Sequence, residues 1–193
     1  MKKLELRMYF FVPYQLTGIQ QAIQSGHAAL EYAHKYKNDK QFIDFIDNWK
    51  TWIILNGGTT NSKLRPGIIS PRKEEDPYQG TLDNLYAKLI DWNMNHKKDL
   101  ISHSVFSEPD LNDALTAICF ICDERVFNYE DYPDIGNYTY PEFKNADLSL
   151  KLLMMSKEEQ KEKFLHEYNK WEKFMGGKKN VFLRNLLKGK KLA

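Results

Sequence analysis

The pattern of apolar and polar positions changes period several times along the chain, and each change marks an element. Residues 6–12 form a short, aromatic-rich apolar run stopped by Pro13, the signature of a buried strand. After a turn through Thr17 and Gly18, residues Ile19, Ala22, Ile23, Ala29, Leu30 and Ala33 recur at the spacing of an amphipathic helix, which predicts a helix over 19–36. A second helical segment, 40–49, sets Phe42, Ile43, Phe45 and Ile46 largely to one side. Residues 51–55 (TWIIL) read as a second buried strand, ended by Asn56, Gly57 and Gly58. Strand, helices, strand is a crossover unit, and such units are parallel and right-handed.

Residues 59–80 hold three prolines, a charge cluster and little periodicity, so they read as a long loop of the kind that is functional or mobile. A third helix over 81–95 places Leu82, Leu85, Leu89 and Trp92 on one face. Residues 100–107 alternate as a strand, Glu108-Pro109-Asp110 turns it, and 115–122 (LTAICFIC) is a fourth, fully buried strand. Two strands joined so briefly make an antiparallel hairpin. Beyond Asp123 the character changes: residues 123–147 carry seven acids, two bases and four tyrosines with no clear period. Ser156 and Glu159 form a capping box that opens a helix striped by Phe164, Tyr168, Trp171 and Met175 and closed by Gly176-Gly177. The expected architecture is an α/β three-layer sandwich, a four-stranded mixed sheet with helices on both faces, plus a C-terminal helical extension. Its domains are 1–125, the α/β core, and 126–193, an acidic Tyr-rich segment followed by a basic helical extension.

Composition narrows the class without naming it. With 193 residues, 42% hydrophobic and 28% charged, the chain is neither wholly disordered nor a fibrous rod. A net charge of +2 does not by itself announce a nucleic-acid binder, but it hides segregation. Residues 123–147 sum to minus five (two bases less seven acids), while six Lys or Arg and no acid follow from Lys178 onward. Interleaved with Val181, Phe182, Leu183, Leu186 and Leu187, these cations suggest a short amphipathic helix that docks by its apolar face and presents charge outward, with Lys188, Lys190 and Lys191 placed to bind a nucleic-acid backbone. Pairing of that tail with the acidic segment is the competing reading. Cys119 and Cys122 have CxxC spacing, but strand alternation sends their sulfurs to opposite faces, which makes them buried, reduced thiols and not a metal or redox pair. No secretory leader and no run of membrane-spanning length is recognisable, so the expectation is a soluble, cytoplasmic protein. The Lys- and Asn-rich composition fits an AT-rich genome, such as that of a phage or its host.

Two constellations can carry chemistry. The first is the turn and helix start from Thr17 to Ala29, where free backbone N–H groups suit a phosphate or carbonyl oxygen. Gln20, Gln24 and His27 fall near one another there, at spacings of four and three. On sequence physics alone the favoured reading is two solvent-facing helix formers and a satisfied, partly buried histidine. The second is the run from Phe106 to Thr116, with Glu108, Asp110 and Asp113 between two strands. A partly desolvated carboxylate at a strand end can orient or deprotonate a water, and Glu108, directly after the strand, is the best placed. An Asp/Asn-rich turn that bonds its own backbone is the alternative. No Walker loop, zinc-type ligand set or serine elbow occurs, and neither metal nor cofactor is expected.

The helix start resembles the signature of the archaeal/eukaryotic-type (type II) peptidyl-tRNA hydrolases, whose first helix carries K-x-A-A-Q-x-x-H-A after the first strand. Residues 20–28 (QQAIQSGHA) match it at Ala22, Gln24, His27 and Ala28, and the later order of elements agrees over about residues 5–123. Three departures stand out: the family's helix lysine falls at Gln20, its strand-end aspartate at Glu108, and the turn before Thr116 is shorter. The resemblance implies hydrolysis of an ester at a tRNA 3′ end. In that scheme Glu108 orients water, Thr116 joins its hydrogen-bond network, and Gln20 or the helix-start N–H groups face the oxyanion. Gln24 and His27 are substrate-side residues that fix the helix on the sheet. The implied partner is tRNA or another nucleotide-containing ligand. Two other readings compete: a binding protein that keeps the pocket without the reaction, and an oligomerisation device, such as a homodimer, built on the acidic segment and tail.

Overall fold

The computed structural model describes residues 3–60, 80–136 and 156–193. The chain divides into two compact units, Met1–Asp123 with Leu186–Ala193, and Glu124–Asn185. The first unit is an α/β layer structure. Strand β1 (Leu6–Pro13) leads through α1 (Gly18–Tyr36) and α2 (Lys40–Asn48) to β2 (Thr51–Gly58), then α3 (Thr81–Asn95), β3 (His103–Glu108), a single 3-10 turn at Pro109–Leu111, and β4 (Ala114–Asp123). The sheet order is β2-β1-β4-β3, with β1 and β2 parallel and both other pairings antiparallel. The mixed four-stranded sheet and the hairpin are those the periodicity predicts.

Helices cover both faces of the sheet. Leu6, Met8, Phe10 and Val12 of β1 and Ala117, Cys119 and Ile121 of β4 share one face and pack with Ala28 and Tyr32 of α1 and Phe42 and Phe45 of α2. On the other face lies α3, with Leu82, Leu85, Leu89 and Trp92 buried. Cys119 pairs with Phe10 and Cys122 with Arg7, so the two thiols do point to opposite faces; both are free and buried. Burial pushes the Cys119 thiol up to about 12 and holds Cys122 well above the ordinary thiol range, so neither is a thiolate at neutral pH.

Several boundaries depart from the periodic reading. Strand β2 runs on through Asn56, Gly57 and Gly58 rather than ending before them. The register with β1 slips here, since Val12 faces Asn56 and Pro13 faces Gly58. Gly57 is squeezed between layers: a Cβ there would lie 2.6 Å from Leu82 Cδ1 and 3.1 Å from Phe11 Cβ, so any side chain would have to displace Leu82. Strand β3 starts later than expected, at His103, and includes Glu108. The larger departure concerns α1. Its buried residues are Gln21, Gln24, Ser25, Ala28 and Tyr32, whereas Ile19, Ile23 and Leu30 are exposed. Of the long loop expected at 59–80, only residues 59, 60 and 80 are described, and 61–79 lie outside the described residues.

Composition groups the last residues with the extension, but the chain returns them to the sheet of the first unit. Asn56 N donates to Lys191 O (2.9 Å), Ala193 N donates to Ile54 O (3.1 Å), and Leu55 and Leu192 form an antiparallel bridge. At the opposite edge, the Tyr36 hydroxyl donates to His103 O (3.1 Å) and accepts from His103 N (3.3 Å).

The second unit contains α4 (Glu124–Phe127), α5 (Lys157–Phe174) and most of α6 (Lys178–Leu187). The Ser156/Glu159 capping box opens α5 as the sequence predicts. Trp171, Met175 and Val181 form its core with Tyr132, Ile135, Tyr168 and Phe174, while Phe164 is exposed. Arg184 overturns the expectation that every tail cation faces outward. It is buried at 1% exposure, where its Nε donates to Asp134 Oδ1 (2.8 Å), its Nη1 to Arg125 O (3.0 Å), and its guanidinium lies over the Tyr129 ring. Residues 137–155, much of the acidic stretch, lie outside the described residues. Among the described residues no helix is long and apolar enough to cross a membrane.

Candidate active site

The topology gathers four chain ends at one end of the sheet. Because β1 and β2 are parallel and β4 and β3 alternate against them, the C-terminal ends of β1, β2 and β3 and the start of β4 all lie together. The start of α1 follows β1 from this same end, and polar residues converge here.

Two local features aim the side chains. Alternation along β3 places Phe106 and Glu108 on one face, and Phe106 packs into the α1-side core. Opposite Phe106 the ladder slips: Phe106 pairs with Ala117 but Ser107 with Leu115, leaving Thr116 as the extra residue of a β-bulge. A bulge re-aims a side chain that regular alternation would send to the other face. Thr116 is thereby turned toward α1, fully buried, and its hydroxyl donates to Gln24 Oε1 (2.6 Å), with Phe106 O a longer 3.3 Å away. Gln24 Nε2 in turn donates to Glu108 Oε2 (2.7 Å).

Glu108, Gln24 and Thr116 thus form one hydrogen-bonded chain across three elements distant in sequence. Each link fixes the next. The Glu108 carboxylate only accepts, which orients the Gln24 amide N–H toward it and leaves the amide oxygen to accept from Thr116; the reversed amide would set oxygen against oxygen at Glu108. Glu108 is half-buried, and its Oε1 makes no hydrogen bond to a described residue. Thr60, just after β2, adds a further tie, its hydroxyl donating to Leu115 O.

The remaining expected residues are placed as follows. Gln20 is exposed one turn before Gln24, and its Oε1 accepts from Thr17 N and Thr17 Oγ1 (both 3.0 Å) in the capping box of α1. The cap holds the amide with its N–H2 outward. His27 lies edge-on to Phe106 (centroids 4.4 Å apart), pinning α1 to β3, and its buried Nδ1 has no hydrogen-bond partner among the described residues. Asp110 and Asp113 are exposed in the hairpin turn, where Asn112 and Asp113 both take positive φ (53° and 54°), a conformation those residue types tolerate. Lys188 and Lys191 are exposed and Lys190 is half-buried; all three stand on the segment that returns to β2, at the sheet edge opposite β3. Sequence reasoning missed the bulge and Thr60. A bulge leaves no trace in periodicity, and a threonine after two glycines reads only as loop. Among the described residues no cluster of His, Cys, Asp and Glu could hold a metal ion. No family model matches the chain, and no curated protein matches it.

Proposed function

We propose that the protein hydrolyses an ester at a tRNA 3′ end, in the manner of the type II peptidyl-tRNA hydrolases that residues 20–28 resemble. The observation that carries this reading is the chain Thr116–Gln24–Glu108, which brings together three of the residues the resemblance nominates, from α1, β3 and β4. Glu108 has one carboxylate oxygen held by Gln24 and the other available to a water. That water attacks the ester carbonyl carbon as its proton passes to Glu108. Collapse of the tetrahedral intermediate expels the ribose oxygen, which takes the proton back, releasing a carboxylic acid and a free 3′ hydroxyl. Gln20, its oxygen engaged by the cap, offers N–H donors to the developing oxyanion.

A second reading has its own support. The first two turns of α1, residues 18–25, contain no cation, so what this helix offers an oxyanion is a neutral amide and its own N–H groups. On a scaffold that binds the tRNA end without turnover, nothing more is needed. Peptidyl-tRNA hydrolysis by the purified protein and by Glu108→Gln separates the two. The substitution keeps the Gln24 hydrogen bond and removes the charge, so turnover falls about 100-fold or more with the melting temperature and tRNA affinity unchanged. Binding without turnover in the wild type establishes the second reading, and full turnover in Glu108→Gln removes the carboxylate from the mechanism.

A further inference from the structure

Thr116 is the member of the site that the sheet itself holds least. Toward β3 it is the extra residue of the bulge, with Phe106 paired to Ala117 and Ser107 to Leu115. Toward β1 it has no ladder partner either, because the β1–β4 pairing ends at Phe11 with Ile118. Val12 and Pro13 run on beside β2, and a proline has no N–H to offer β4. The Thr116 hydroxyl also has two acceptors within reach, Gln24 Oε1 at 2.6 Å and Phe106 O at 3.3 Å. Only the first ties the oxygen of the amide whose N–H meets Glu108 Oε2. Something other than the ladder has to decide between them.

The tie comes from β2, two places away in the sheet. That strand ends on Gly57 and Gly58, and Gly58 takes a φ of +93° at a point where a Cβ would strike Thr81. The chain then reaches Thr59, which is clasped to the start of α3. Thr59 N donates to Thr81 Oγ1 (2.7 Å), Thr81 N to Thr59 Oγ1 (3.3 Å) and Leu82 N to Thr59 O (3.0 Å). So anchored, the next residue, Thr60, donates its hydroxyl to Leu115 O, the carbonyl directly before Thr116. We propose that Thr60 is a positioning residue of the Glu108 site: by holding Leu115 it keeps the bulge in register and the Thr116 hydroxyl on Gln24. The proposal rests on the hydrolytic reading of that site. The path is continuous, from the start of α3 through Thr59, Thr60 and Leu115 to Thr116, Gln24 and Glu108. A carbonyl only accepts, so the position needs a donor. Without one, Leu115 relaxes, the Thr116 hydroxyl turns to Phe106 O, and the Gln24 amide is held at one end only.

The test compares Thr60→Val, which keeps the shape and removes the donor, with Thr60→Ser, which keeps the donor. In steady-state hydrolysis of peptidyl-tRNA by the full chain, kcat falls about tenfold or more in Thr60→Val while KM stays within about twofold of wild type. Thr60→Ser recovers most of the loss, and Thr60→Ala, which also lacks the donor, matches Thr60→Val. Thermal melting confirms that each variant folds. Leu89→Ala supplies the comparison for lost stability without a link to Leu115, with kcat per folded molecule at the wild-type value. A second readout needs no turnover. In proton–nitrogen correlation spectra the Gln24 side-chain amide, assigned by its absence in Gln24→Met, shifts toward the position of solvated glutamines in Thr60→Val and stays in place in Thr60→Ser. An unmoved amide signal, an unchanged kcat in Thr60→Val, or equal losses in the valine and serine variants overturn the positioning role and leave Thr60 a structural bond. The two ideas fail separately. A shifted amide in a protein without turnover keeps the positioning and removes the hydrolytic reading; turnover that ignores Thr60 does the reverse.

Discussion

Helices α1 and α3 cover opposite faces of one sheet and obey opposite rules. Helix α3 turns Leu82, Leu85, Leu89 and Trp92 inward, as an amphipathic helix should. Helix α1 buries Gln21, Gln24 and Ser25 near its start and leaves Ile19, Ile23 and Leu30 in solvent. The difference is one of partners. Burying an amide or hydroxyl is costly unless its hydrogen bonds are replaced, and here they are: Gln21 Nε2 donates to Pro13 O (3.2 Å), Ser25 Oγ to Gln21 O (2.8 Å), and Gln24 joins Thr116 to Glu108. One helix is held by area removed from water, the other by Ala28 and Tyr32 farther along and by a polar first half that only this sheet end can satisfy. The helix that carries the candidate chemistry is the one that breaks the pattern.

Substitutions can break that contrast at either helix. Leu89→Ala removes a fully buried side chain from α3 and should cost about 2–5 kcal/mol in urea or thermal unfolding, with catalytic turnover per folded molecule unchanged. Gln24→Met keeps the volume but leaves the Thr116 hydroxyl only its longer contact to Phe106 O and removes the donor to Glu108 Oε2; about 1–3 kcal/mol of stability should go, and turnover with it. Retained turnover there would mean that the polar face of α1 is structural only. Ile23→Ser on the exposed side of α1 should shift unfolding by no more than about 0.5 kcal/mol, because little apolar area is returned to water. A larger loss would show that the outward isoleucines are covered in solution.

The same contrast decides what the sequence discloses. The extents of α1 and α3 were both legible, as were all four strands to within a few residues. Only α3's orientation followed from its apolar residues. In α1 the alanines make most of the circumference acceptable as a core face, and the choice is settled by hydrogen bonds to β3, β4 and Pro13 that lie up to 92 positions away. Glu108 was legible because it ends a strand. Gln24 and Thr116 were nominated through the resemblance, but their direct link depends on a bulge that periodicity does not register. Lys190 read as one more tail cation, since nothing local shows that the residues after it return to β2.

The pairing of the last residues with β2 also bears on how the protein behaves at high concentration. An exposed strand edge is a template for the next copy, and sheets that leave both edges bare tend to stack into fibres. Here the N–H of Asn56 and the carbonyl of Ile54 are occupied by the chain's own closing segment, and the backbone of His103 by a tyrosine hydroxyl. Each end of the sheet thus carries a built-in stopper, and the lysines on one of them add repulsion between approaching copies.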